Sequence, residues 1–420
     1  MLEPLKTAQW LTPLIVRMIA FFVLALTIIP ILYLFATATG PYDINGRLLG
    51  TDYSAFWSAG RQALEGNAGD AYNLKKQDVY LDQAFSGPST PLTAWLHPPV
   101  FYLIVTPFSL MPYLLSLACW VGCGFAAYLY MTRQLDQSLT ALALALAYPA
   151  VWINVTHGQT GLYFAALFGG AMMCLSMRPR LAGVLIGLMV IKPQFGLLVP
   201  VALLAGGHYK TFASAAVTIA VMALFATIAL GPAIWIDFLQ ATTISRGNIL
   251  EGGAVGWAKF QSPFAIVRLW GGSVSLAYAV HGLIFAVVAM AVFWAWSNPI
   301  DRRLQYAALL TGSCIATPYV FDYDLAILAP ALAWTAQYAI DRGFLSYEKI
   351  CLVLIWLAPG NAREAADHYA IPVGLIAMLS LFGLILYRAR CAARVSTNCI
   401  PLNALRADAP ANQCKRSIQQ

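Results

Sequence analysis

The sequence predicts an all-α, polytopic membrane protein of about 10–12 transmembrane or half-spanning helices. Three observations carry that reading. The 420 residues are 60% hydrophobic and only 10% charged, with a mean hydropathy of +0.69, where a soluble chain of this length would expose more charge. The apolar stretches lack the period-2 alternation of an outer-membrane barrel, which favours helices. Lys and Arg gather at the ends of these stretches and in the C-terminal tail, as topology determinants do. A net charge of +7 distributed in this way implies a lipid bilayer as partner and no nucleic acid.

Lys6 before the first span, roughly 14–38, and Arg17 at its start place the N-terminus in the cytoplasm. The apolar run from Met18 to Ala38 is too long for a signal-peptide core and lacks a clear cleavage site. Residues 40–97 form a long first periplasmic loop with six acids (Asp43, Asp52, Glu65, Asp70, Asp78, Asp82) and four bases (Arg47, Arg61, Lys75, Lys76). Its aromatic residues and Gly and Pro turns predict short amphipathic helices on the membrane surface. Residues 98–131 are long for one crossing, and Pro107 and Pro112 predict a broken or interfacial piece before a helix ending at Arg133. Spans near 139–153 and 161–177 flank a short outer turn, Asn154 to Gln159, whose Asn-x-Thr match is a weak glycosylation signal.

Residues 181–206 have bases on both sides (Arg178, Arg180, Lys210) and Lys192-Pro193 near the middle. Two half-length helices dipping in from the cytoplasm reconcile the charges with the break. One kinked full span is the alternative and would invert every later loop. A span near 211–231 leads to a second periplasmic loop, 232–270, with Asp237, Arg246, Glu251, Lys259 and Arg268. Spans near 274–296 and 304–318 flank Asp301-Arg302-Arg303, and the turn Thr317 to Asp324 follows outside. Spans near 325–340 and 349–359 precede a third outer turn with Arg363, Glu364, Asp367 and His368, and a last span covers 371–387. The chain thus divides into one integral-membrane domain, 1–387, and a basic tail, 388–420, read as a disordered cytoplasmic anchor. Five of the eight cysteines fall in apolar runs and three in the tail, so neither a disulfide framework nor a zinc site is implied.

Few ionisable residues lie near the apolar interior, and these carry the chemistry. Asp52, in Thr51-Asp52-Tyr53-Ser54-Ala55-Phe56-Trp57, is either one more solvated loop acid or a general base for an alcohol. Tyr53 and Trp57 either belong to an interfacial belt or stack on a sugar ring. Lys192 is costly within an apolar segment unless it meets an anion, and a lipid phosphate beside a half-helix terminus is the natural partner. His157 and Gln159 flank a glycine and serve either as turn residues or as hydrogen-bond partners of a sugar or phosphate. His97, beside Pro98-Pro99, reads first as an ordered loop end and second as a site residue. Asp322 and Asp324 flank Tyr323, with helix capping accounting for at least one of them. No nucleotide-binding loop, HExxH or GxSxG is present, so nucleotide-driven transport and zinc or serine hydrolysis lack support.

Taken in order, Asp52-Tyr53, Trp57-Ser58-Ala59-Gly60, Gly66, Tyr72, His97-Pro98-Pro99, Pro107, Leu110-Met111-Pro112, Gly158-Gln159, Pro179-x-x-Ala182-Gly183, Lys192-Pro193-Gln194, Thr317-Pro318 and Tyr323-Asp324 form a pattern. Over about residues 50–340 it resembles glycosyltransferase family 87, the polyprenyl-phosphate-mannose-dependent α-mannosyltransferases of the multispanning C-type glycosyltransferases. The resemblance implies about a dozen membrane helices and an active site at the outer face of a bacterial inner membrane. It implies a polyprenyl-phosphate sugar donor, a lipid or glycan acceptor, inversion at the sugar carbon, and Asp52 as the base. Lys192 and an arginine of the second outer loop, Arg246 or Arg268, are then expected at the donor phosphate. Tyr53, Trp57, His97, His157, Gln159, Gln194, Asp322, Tyr323 and Asp324 are expected around the substrates. Relatives often hold a histidine just before the Tyr-Asp pair, where this chain has Phe321 and Asp322. No cofactor is expected; a leaving group with one phosphate does not require a divalent metal, and the sequence leaves that point open. A lipid or glycolipid transporter or flippase, and an oligosaccharide ligase, remain as alternatives.

Overall fold

Lipid-soluble helix dominates the computed structural model, which describes residues 3–85 and 95–398. Among the described residues, five helices are long and apolar enough to cross a membrane: Pro13–Ala36, Tyr113–Leu135, Tyr209–Leu230, Val274–Ser297 and Val373–Ala393. At about 1.5 Å per residue each covers roughly the 30 Å of a hydrocarbon layer. Among the described residues there is no strand, only isolated bridges, so the chain is an all-α polytopic membrane protein. Pro13–Ala36 is apolar on all sides and buries only Ala20, as expected of a helix whose solvent is lipid.

Proline sets most of the interruptions. Pro112 separates the short helix Tyr102–Ser109 from Tyr113–Leu135, as the sequence implies. The crossing expected at 139–153 is instead a bent pair, Leu139–Ala147 and Pro149–His157, meeting at 47°. Pro149 has no amide hydrogen to give, and it holds Tyr148 at φ −64°, ψ 118°, outside the helical region. The second half therefore runs four residues past the expected end, to His157.

Residues 179–206 enter the bundle and return. Helix Pro179–Leu188 runs alongside the start of Tyr209–Leu230: Ser214 Oγ donates to Arg180 O at 2.7 Å. A Cβ on Gly183 would lie 2.5 Å from Ser214 Cβ, and one on Gly187 2.5 Å from Thr218 Cβ, so only glycine allows this approach. The chain turns at Lys192-Pro193 and comes back through Val199–Ala205 to Gly206, beside His208 and Trp296. Arg180 and Gly206 both lie near the first turns of helix Tyr209–Leu230, which is the re-entrant arrangement and not a kinked full span.

Helices form where spans were expected at 304–318, 325–340 and 349–359, but they are short: Arg302–Ile315, Leu328–Arg342 and Glu348–Leu357, of 14, 15 and 10 residues. The first is buried at every position from Ala307 to Ile315 and forms the centre of the core, where protein replaces lipid around it. The last helix, Val373–Asn398, continues beyond the expected limit of 387. Arg388, assigned from sequence to the tail, is buried there, paired with Glu348 and bonded to Gly343 O at 2.8 Å. Residues 399–420 of that tail lie outside the described residues. Arg303 and Arg388 both sit over Tyr338, and Arg303 also reaches Asp341, gathering basic residues at one end of the bundle.

Candidate active site

Segments between the membrane helices meet at the other end. Asp52 lies at the N-terminus of helix Tyr53–Leu64, in the first interhelical segment, and its N–H donates to His157 O at 3.1 Å. That contact exists because the bent pair stops at Gly158, which adopts φ +65° and closes the helix in the left-handed region. A Cβ at Gly158 would lie 2.6 Å from Tyr53 Cβ, so the same glycine lets the two chains touch. The turn directs Gln159 toward the acid, and its Nε2 donates to Asp52 Oδ2 at 2.9 Å. Helix Tyr53–Leu64 is amphipathic, and its buried face carries Tyr53 and Phe56 into an aromatic cluster with Trp120.

Three acid–base pairs converge around Tyr323 and His157. Lys192, at the tip of the re-entrant segment, places Nζ 2.8 Å from Asp324 Oδ1 and 5.0 Å from the centre of the Tyr323 ring. Arg363 Nε reaches buried Asp322 at 2.6 Å, and its Nη2 lies 3.4 Å from His157 Nε2. His157 Nδ1 is 2.8 Å from Ile153 O, so an Nδ1–H tautomer leaves Nε2 free to accept from Arg363. Lys259 Nζ lies 3.5 Å from Asp52 Oδ2 and faces the Phe321 and Tyr323 rings at 5.8 and 5.5 Å. The turn that carries Asp322 and Asp324 is tied to the second loop, since Gln261 N donates to Val320 O at 2.8 Å and Phe260 pairs with Phe321.

The three carboxylates differ in access. The Asp322 and Asp324 side chains are 2% and 1% exposed, whereas that of Asp52 is 23% exposed and has the longest ion-pair distance. Burial alone would raise the Asp52 carboxyl above its ordinary value. Lys259 first, then His157, the Gln159 hydrogen bond and Lys192, outweigh that and hold it below the ordinary value. It is therefore ionised at neutral pH, an acceptor that reaches the surface. His97 packs edge-on to Phe56 at 5.0 Å, with its Nδ1 buried and without a partner among the described residues. Burial and then the Lys192 charge keep its imidazole neutral, against the pull of Asp52. Among the described residues, no three His, Cys, Asp or Glu side chains form a group that could hold a metal ion.

Of the residues singled out from sequence, the fold brings together Asp52, His157, Gln159, Lys192, Asp322, Tyr323 and Asp324, with His97 behind them. Gln194 follows the Lys192-Pro193 break in the short turn Pro193–Gly196. Tyr53 is not presented beside Asp52 at the surface: it is 1% exposed and its hydroxyl bonds Ser116. Trp57 donates to Met111 O at 3.0 Å and packs on Phe85 and Tyr113. The two arginines of the second loop are likewise elsewhere. Arg246 pairs with Glu251 on the surface, and Arg268 bonds the carbonyls of Gly272 and Glu251 while stacking on Trp257. The cations that do lie beside Asp52, Asp322 and His157 are Lys259 and Arg363. Both are visible in the sequence as loop cations, and Lys259 stands out by its setting, Trp257-Ala258-Lys259-Phe260.

Fold and site together define a polytopic membrane protein with a polar, charge-paired centre between helix ends, built around one accessible carboxylate. The chain belongs to glycosyltransferase family 87, whose family model matches residues 95–318, just over half of the sequence. It is thus a membrane glycosyltransferase. The match contains His97, His157, Gln159, Lys192 and Lys259, while Asp52 and Asp322 to Asp324 lie beyond its two ends. No curated protein and no solved structure matches the chain.

Proposed function

We propose that this protein transfers a hexose, mannose in the first instance, from a polyprenyl-phosphate donor to a hydroxyl of a lipid or glycan acceptor, with inversion. Asp52 takes the proton of the acceptor hydroxyl. The hydroxyl oxygen bonds to the anomeric carbon from the side opposite the phosphate, the bond from that carbon to the phosphate oxygen breaks, and polyprenyl monophosphate leaves. The observation that supports this best is the contrast among the three carboxylates: only Asp52 combines ionisation, exposure and a hydrogen-bonded orientation, from Gln159. Lys192, its charge compensated by Asp324 at 2.8 Å, holds that carboxylate away from the departing phosphate. The reaction is assigned to the periplasmic face of a bacterial inner membrane; the gathering of Arg303 and Arg388 at the opposite end of the bundle and the basic flanks of the spans support that side as cytoplasmic.

The test uses membranes carrying wild type or Asp52→Asn, labelled polyprenyl-phosphate mannose, and a total lipid and glycan extract. Loss of transfer by at least about 100-fold in a normally folded variant is the expected result for removal of a general base. Transfer at the wild-type rate would remove Asp52 from the chemistry. Binding of labelled donor by wild type without any product would point to transport instead.

A further inference from the structure

We propose that Lys259 is exchanged between two anions: it pairs with Asp52 while the donor site is empty and moves to the donor's phosphate when the site fills, so that donor binding uncovers the base. The proposal rests on the donor reading above.

Of the three cations at the site among the described residues, Lys259 has the loosest ion pair. Lys192 is held 2.8 Å from Asp324, with the two side chains 7% and 1% exposed, and its departure would strand a buried carboxylate. Arg363 is held at 2.6 Å by Asp322, itself buried, and also touches His157. Lys259 stands 3.5 Å from Asp52, beyond the roughly 2.7–2.9 Å of a tight charge-assisted hydrogen bond. It also faces the Phe321 and Tyr323 rings, which attract a cation without fixing its direction. The exchange is a movement of the side chain alone: Lys259 ends the single turn Trp257–Lys259, and the backbone beyond it stays anchored through Phe260 and Gln261.

The exchange has a chemical consequence. The donor's phosphodiester carries one negative charge, and as the bond to the sugar breaks the departing monoester gains a second. A lysine on that phosphate is bound more strongly in the transition state than in the ground state, the condition for raising the rate. Already on donor binding Asp52 loses its nearest positive charge and becomes a stronger base for the acceptor. Donor before acceptor is the order this predicts, and it leaves the base masked when no donor is present.

The experiment measures binding of a polyprenyl monophosphate, with the uncharged polyprenol of equal length as control, to the full chain in nanodiscs. Lys259→Met is expected to bind the phosphate about tenfold more weakly, and Lys259→Arg to recover most of that loss. Asp52→Asn, although inactive in transfer, is expected to bind it about three- to tenfold more tightly, because Lys259 is released. In the double variant that gain disappears. A gain from Asp52→Asn that persists without Lys259 would reduce the effect to charge repulsion and overturn the proposal, as would wild-type affinity in Lys259→Met. Wild type that fails to distinguish the phosphate from the polyprenol would overturn the donor reading itself, and the exchange with it.

Discussion

Breaking the Lys192–Asp324 pair tests whether the re-entrant tip is fixed by charge. The two atoms lie 2.8 Å apart, with side-chain exposures of 7% and 1%. At an effective dielectric of about 20 their attraction is roughly 6 kcal/mol before desolvation, which offsets most of it. Removing one partner leaves the other buried and unpaired, at a cost of about 3–5 kcal/mol. Lys192→Met is expected near that range. Asp324→Asn is expected to cost less, since the amide oxygen can still accept from Phe321 N, now at 3.1 Å, and Lys192 keeps the Tyr323 face. The double variant removes both charges and is expected to be more stable than Lys192→Met alone. The measurement is reversible unfolding in mixed micelles followed by tryptophan fluorescence. A loss under about 0.5 kcal/mol for Lys192→Met, or double-variant effects that simply add, would refute the reasoning.

The Asp52 carboxyl is held below its ordinary value, so its base form persists at neutral pH and is lost only as pH falls through the depressed value. The acidic limb of kcat/KM is accordingly expected below the usual aspartate range, and Lys259→Met should shift it upward; a pH–rate profile with limiting donor reads both. Arg246→Ala, on the surface beside Glu251, should change stability and transfer by no more than about 0.5 kcal/mol. Arg268→Ala removes two carbonyl bonds and the stack on Trp257, so it should loosen the second loop by about 2–3 kcal/mol, seen as faster limited proteolysis between 232 and 270.

Hydropathy and basic flanks were enough to read the helical membrane class, because lipid forces backbone groups to be satisfied within helices. The interruptions at Pro112 and Lys192-Pro193 were equally legible, since proline acts locally. Pro149 carried the same signal, but the apolar run around it read as continuous, and the bend was missed. The site was legible only in part. Asp52 and Lys192 stand out because charge near lipid is rare, whereas the contact of Asp52 with Gln159 spans 107 positions and no spacing rule foretells it. Tyr53 and Trp57 flank the acid in sequence, yet the turn of an amphipathic helix carries them into packing. Arg246 and Arg268 are drawn away from Asp52 by local geometry, because Arg246 has a carboxylate five residues away and Arg268 has backbone carbonyls within reach.

The re-entrant segment also has a history in the making of the protein. A segment that goes in and returns on the same side cannot be threaded as an ordinary crossing; it must settle between neighbours already inserted. Its lysine meets its counter-charge 132 positions later, on a turn synthesised after two further long helices. Until that turn emerges, the tip carries an uncompensated charge into lipid and has every reason to stay at the surface. The candidate site is therefore completed late, and a nascent chain that stalls before Asp324 holds Asp52 and Lys192 without the counter-charge that pins the tip.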